Sequence, residues 1–220
     1  MVKKLLTNKI YGNIDDIKIT NSIFDNSGDG GFRFSTVANR DFSRTTLLLD
    51  NVTYTNNPIP FMAFENLDYV TIDNCVFINN TDQLLFLIGS SGALGADEYV
   101  VTNTIFKDNG SPIVKYGGVF LIQYCNTTII NCVFDGNRAD MGAAIALLDF
   151  PTNPPLTILD TVFIENRAEG QGGAIFIFGG EYQVNNVSFI SNEAKISGGA
   201  IFDDNGGLTC AVSDVTPLLG

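Results

Sequence analysis

The chain has 220 residues, 45% of them hydrophobic, with 24 acidic against 12 basic side chains, a net charge of −12, and neither histidine nor tryptophan. Its acidity argues against nucleic acid or an anionic membrane surface as partner, and the lack of imidazole removes the commonest metal ligand and a frequent general base. No stretch approaches the ~20 consecutive apolar residues of a membrane-spanning helix, so no span is expected in this segment.

Met1-Val2-Lys3-Lys4-Leu5-Leu6 resembles the opening of a secretory signal, but Thr7-Asn8-Lys9 turns polar at once and no apolar core follows. Residues 1–15 are therefore expected to form an N-terminal cap or a leading segment added to the protein, and residues 16–220 a single repeat domain. Within that domain one frame recurs around an aromatic residue. The aromatics are Phe24, Tyr54, Phe77, Phe106, Phe134, Phe163 and Phe189, spaced 30, 23, 29, 28, 29 and 26 residues apart. Three residues before them stand Asn21, Asn51, Asn74, Asn103, Asn131, Asp160 and Asn186. Three residues after all but the first stand Asn57, Asn80, Asn109, Asn137, Asn166 and Asn192, while Ser27 follows Phe24.

Each repeat opens on alternating residues. Leu47 and Leu49, Val70 and Ile72, and Leu156 and Ile158 are apolar, with residues such as Thr71 and Thr157 between them. Period two reads as a half-buried strand. The first Asn breaks the alternation, as expected at a bend, and a second strand carries the aromatic inward. Two residues before the aromatic lie Ser22, Val52, Cys75, Thr104, Cys132, Thr161 and Val187, all small or β-branched. A third strand follows a tight glycine turn at Gly117-Gly118-Val119-Phe120, Gly142-Ala143-Ala144-Ile145, Gly172-Gly173-Ala174-Ile175 and Gly198-Gly199-Ala200-Ile201.

Three short strands in ~28 residues, with no helical stripe, predict an all-β fold: a single-stranded right-handed parallel β-helix of about seven to eight coils. Successive coils lie one strand spacing, about 4.8 Å, apart, so each position recurs above itself. Both Asn columns are expected to point inward as amide ladders, and Phe24, Phe77, Phe106, Phe134, Phe163 and Phe189 to form an interior stack. At the end, Cys210, Val212 and Asp214 begin the frame again, which reads as an eighth coil and a segment of a longer solenoid. Cys75 and Cys132 share a column two coils apart, about 9.6 Å by the strand spacing, too far for a disulfide, so the cysteines are read as buried thiols.

Phe163-Ile164-Glu165-Asn166 followed by Gly172-Gly173-Ala174-Ile175, the same pattern from Phe189 to Ile201, and a variant from Phe134 to Ile145 resemble the paired FxxN and GGAI motifs of chlamydial polymorphic membrane proteins. Cys132 takes the Cys place that often precedes Phe in that motif. The specific match covers about the last third of the chain. The resemblance implies a secreted or cell-surface β-helix that acts in adhesion.

Enzymes built on parallel β-helices need convergent carboxylates on one face. The candidates here are Asp15-Asp16, Asp97-Glu98, Asp135 and Asp203-Asp204. Asp135 alone lies on the strand after the Phe column, where its counterparts are Asp25, Thr55, Ile78, Lys107, Ile164 and Ile190, so no acidic cluster builds up. No catalytic residue, metal ligand or cofactor is therefore expected. Sequons occur at Asn51, Asn79, Asn109, Asn126 and Asn186. With Asn51, Asn109 and Asn186 assigned to inward ladders, glycans are expected at Asn79 and Asn126 alone, given a eukaryotic source.

The expected function is a non-enzymatic extracellular or cell-surface rod, structural or adhesive. Its expected partners are further coils or copies end to end, glycans, or a host-cell surface. A head-to-tail filament is the first alternative and a polysaccharide lyase or glycosidase the second. Recognition would fall to the excursions at Ala38–Arg44, Gly89–Glu98 and Phe150–Pro155.

Overall fold

The computed structural model describes residues 16–25, 32–35, 46–58, 62–65, 67–82, 85–88, 98–148 and 156–204, with the backbone alone at 32–35, 62–65 and 85–88. The cap at 1–15, the eighth coil, Cys210, and the excursions at 38–44, 89–97 and 150–155 lie outside the described residues.

The chain winds as a parallel β-solenoid, the fold class expected. A seven-stranded sheet stacks the third strand of each coil, from Phe32–Ser35 to Ile201–Asp204, and a twelve-stranded sheet carries the first two strands of each coil. In the first two coils one ten-residue strand spans both arms, Asp16–Asp25 and Thr46–Thr55. In later coils it is split, as in Leu156–Leu159 and Val162–Ile164. A three-stranded sheet joins Arg138–Ala139, Arg167–Ala168 and Glu193–Ala194. Registers are parallel and in frame: Phe106 faces Phe134, Phe134 faces Phe163, and Phe163 faces Phe189.

The corners are made by left-handed residues. The first Asn of the frame has φ near +50°, from Asn21 (50°) and Asn51 (53°) to Asp160 (49°) and Asn186 (52°). A second corner falls two residues after the aromatic, at Asn56, Asn79, Asp108, Gly136, Glu165 and Ser191, all at positive φ. The first glycine of the paired-glycine turn makes a third, with Gly172 at 68°. Asn, Asp and Gly tolerate this region, whereas other L-residues lose roughly 1–2 kcal/mol there. Glu165, at φ 51°, is poorly suited to its corner. Glu165→Asn is expected to stabilise the protein by about 0.5–1 kcal/mol, read as a higher midpoint of urea unfolding.

The core is one continuous column. Leu47, Leu49, Ile72, Phe106, Ile129, Phe134, Ile158 and Phe163 are completely or almost completely buried. From Phe77 upward the rings stack nearly parallel, with centroids 5.2 Å (Phe77–Phe106), 4.9 Å (Phe106–Phe134), 4.7 Å (Phe134–Phe163) and 5.1 Å (Phe163–Phe189) apart. Below Phe77 the column opens: Tyr54 sits 6.3 Å from both Phe24 and Phe77, tilted by 52°. Phe120, on the third strand, meets Phe106 edge-on at 5.0 Å. Each such pair adds roughly 0.5–1.5 kcal/mol beyond its buried area.

Candidate functional site

The two asparagine columns, alike in sequence, lie on opposite sides of the wall. The later column is inside. Asn109, Asn137 and Asn166 are wholly buried, and Asn57 and Asn80 nearly so. The Oδ1 of Asn137 accepts from the backbone N–H of Asn109 (3.0 Å) and from its Nδ2 (3.1 Å). The Asn137 Nδ2 donates to Asn166 Oδ1 (2.9 Å) and to the carbonyl of Phe106 in the coil below (3.0 Å). Asn80, Asn109 and Asn166 repeat this pattern with their own neighbours, and Asn192 continues it with a bond to Phe163 O (2.9 Å). Both ends of each buried amide are occupied, which is what removes the penalty for burying it.

The earlier column is outside, and this corrects the expectation of an inward ladder. Asn21, Asn51, Asn74, Asn103, Asn131, Asp160 and Asn186 are all exposed. They still bond from coil to coil, on the surface: Asn51 Nδ2 to Asn21 Oδ1 (2.8 Å), Asn131 Nδ2 to Asn103 Oδ1 (2.8 Å) and Asn186 Nδ2 to Asp160 Oδ1 (2.6 Å). Asn103 instead reaches Asp73 (2.8 Å), whose carboxylate also accepts from the Thr102 hydroxyl (2.6 Å). The Thr102 bond and then the Asn103 bond hold the Asp73 carboxyl below its usual pKa. The left-handed residue explains the parity. Positions five and two before the aromatic both point in, so the two residues between them, the Asn included, both point out.

The sequon argument changes with this placement. Asn51 and Asn186 present exposed side chains, so burial does not withhold them from a glycan, whereas Asn109 is buried with its amide engaged. Asn79 is exposed, donating to Asn56 Oδ1 (2.8 Å), and Asn126 is half-buried at the start of Asn126–Ile130.

The acidic candidates do not converge among the described residues. Asp135 faces Lys107 on the next rung and forms an ion pair with it. That bond to Asp135 raises the Lys107 pKa above its ordinary value. Asp16 takes a hydrogen bond from the Thr46 hydroxyl, in the first coils of the rod. Glu98 and Asp204 are exposed. Asp203 stands in register with the buried Ile177 and lies 3.5 Å from the Tyr182 hydroxyl, which donates to it. Asp15 and Asp97 lie outside the described residues.

Cys75, Cys125 and Cys132 are buried free thiols. Burial pushes Cys75 up to about 11 and Cys132 up to about 12, so neither is a thiolate near neutral pH. The hydroxyl of Thr104 accepts from the Cys75 backbone N–H (3.2 Å), and that of Thr161 accepts from the Cys132 N–H (3.3 Å). The small, β-branched column between Asn and aromatic is thus a packing column that alternates sulfur, methyl and hydroxyl groups. The frame did not single out the second corner at Asn56, Asn79, Asp108, Gly136, Glu165 and Ser191, although its run of Asn, Asp and Gly is a signal for positive φ.

A family model described as a right-handed beta helix region matches residues 8–214. Compared with curated proteins and with solved structures, the chain finds no match.

Proposed function

Because the chain belongs to the right-handed β-helix family, we propose that it serves as a non-enzymatic structural and adhesive rod at a cell surface, of the kind its FxxN and GGAI motifs suggest. The observation that carries this reading is that each motif residue is committed to the neighbouring coil. In Phe163–Ile175 the ring stacks, Asn166 extends the buried ladder, Gly172 makes a left-handed turn, and Ala174 and Ile175 fill the core. The repeat is therefore scaffold, and recognition falls to the outward columns and to the connections between coils.

Electron microscopy of the purified chain, with a glycan-array and cell-binding assay, tests the proposal. Dispersed rods that bind cells or glycans are the expected result. Filaments would move the reading to self-assembly, and depolymerisation of a polysaccharide by the chain would overturn the non-enzymatic reading.

A further inference from the structure

An open cleft of about 240 Å³ lies on the short sheet, and its walls include Pro112, Arg138, Arg167, Glu169, Glu193 and Lys195. The parallel register sets Arg138 beside Arg167, and Arg167 beside Glu193. The alternate residues, Ala139 and Ala168, are buried, so the charged column faces out. Two guanidiniums thus issue from backbones one rung, about 4.8 Å, apart. Two guanidiniums on neighbouring rungs of one face favour an anion between them.

The cleft's own carboxylates do not fill that role. Glu193 approaches Arg167 Nε at 3.8 Å, a long contact with both side chains largely exposed. Glu169 is engaged with Lys195. Arg138 has no ion pair among the described residues. Three cations (Arg138, Arg167, Lys195) against two carboxylates (Glu169, Glu193) leave one positive charge in this cleft, in a chain whose net charge is −12.

We propose that this cleft binds an organic monocarboxylate with a small apolar body, held by Arg138 and Arg167. A guanidinium fork matches the two oxygens of a carboxylate. Glu169 and Glu193 in the same walls disfavour a dianion such as phosphate. The small apolar body is indicated by Pro112 and Ala168, the apolar residues of the wall. These apolar wall residues offer contact area to a ligand's carbon skeleton. The proposal does not depend on the adhesive reading, since a rod of any function could carry such a site.

The test is a titration of the full chain followed by the side-chain N–H signals of its arginines. Isovalerate and acetate are compared with chloride at matched ionic strength. The Arg138 and Arg167 signals are expected to shift saturably with isovalerate and more weakly with acetate. Arg138→Gln should weaken isovalerate binding about tenfold or more, from the loss of a charge-assisted bond. Arg167→Gln should do the same, and Lys115→Gln, outside the cleft, should change nothing. Shifts no larger than those with chloride, or unchanged affinity in both arginine variants with an intact backbone spectrum, would overturn the site. Tighter binding of inorganic phosphate than of isovalerate would overturn the choice of a monocarboxylate.

Discussion

Asn137→Asp is expected to destabilise the protein by about 3–5 kcal/mol at neutral pH, while Asn131→Asp, six residues earlier, should stay within about 0.5 kcal/mol of the parent. The two positions share the frame but not the environment. In the buried ladder the Asn137 Nδ2 donates to two acceptors, Phe106 O at 3.0 Å and Asn166 Oδ1 at 2.9 Å. A carboxylate oxygen in that place faces both acceptors with no proton to offer, inside a wholly buried site. Asn131 is exposed at φ 53°, and Asp160 already occupies the same column at φ 49°, accepting from Asn186. Asn137→Ala separates charge from lost bonding. It leaves the Asn109 N–H without the Oδ1 it donates to, and should cost about 1–3 kcal/mol from that group alone. The pH dependence follows from the sign of the shift. Burial raises the folded pKa of the new Asp above its unfolded value, so the penalty is absent below the unfolded pKa of about 3.9 and grows as pH rises toward the folded one. The stability gap between parent and Asn137→Asp, measured by urea unfolding, should therefore narrow as pH falls toward about 4 and level off below it. A gap independent of pH, or an equal loss in Asn131→Asp, would show that the ladder is not inside at Asn137.

The solenoid was legible because its physics is periodic. One rung's alternation at Leu156–Leu159, repeated at ~28-residue intervals, is enough to imply stacked parallel strands and a Phe column. Alternation carried through the first Asn puts its side chain inside, whereas the left-handed bend at that residue puts it outside. At Asn131, with φ 53°, the left-handed turn leaves two successive side chains outside, Ile130 and Asn131, between the buried Ile129 and Cys132. Both flanking positions are apolar or small in the sequence, and an odd spacing of three between two inward positions already requires the slip. The cleft was not legible for a different reason. Arg138 and Arg167 are 29 residues apart, and only the register of two-residue strands brings them together. Such strands are too short to show any period.

Gly173→Ala should cost about 2–3 kcal/mol or more, whereas Gly199→Ala, one rung above in the same column, should be nearly neutral. A Cβ on Gly173 would lie 1.9 Å from the carbonyl oxygen of Gly199 and 2.8 Å from the backbone N and C of Glu193. These are main-chain atoms of the next coil, so relief requires the rungs to separate rather than a side chain to turn. On Gly199 the nearest atom to such a Cβ among the described residues is Asn192 O at 3.5 Å, an ordinary contact. The chain already contains a milder version of the experiment. Ala143 occupies this column, and its N–H to Gly172 O distance is 3.4 Å, against 3.0 Å for Gly118 to Ala143 and 2.9 Å for Gly173 to Gly198. One methyl group thus lengthens the local rung bond. At Gly173 the same methyl has less room, because it would sit against Gly199 O, so the strain falls on the hydrogen bonds from Gly173 to Gly198 and from Ala174 to Ala200 (2.8 Å). Native-state hydrogen exchange should show the loss as faster exchange at those two amides, beyond any global change. Equal destabilisation by Gly173→Ala and Gly199→Ala would mean that the paired glycines serve backbone freedom alone and not the close approach of one coil to the next.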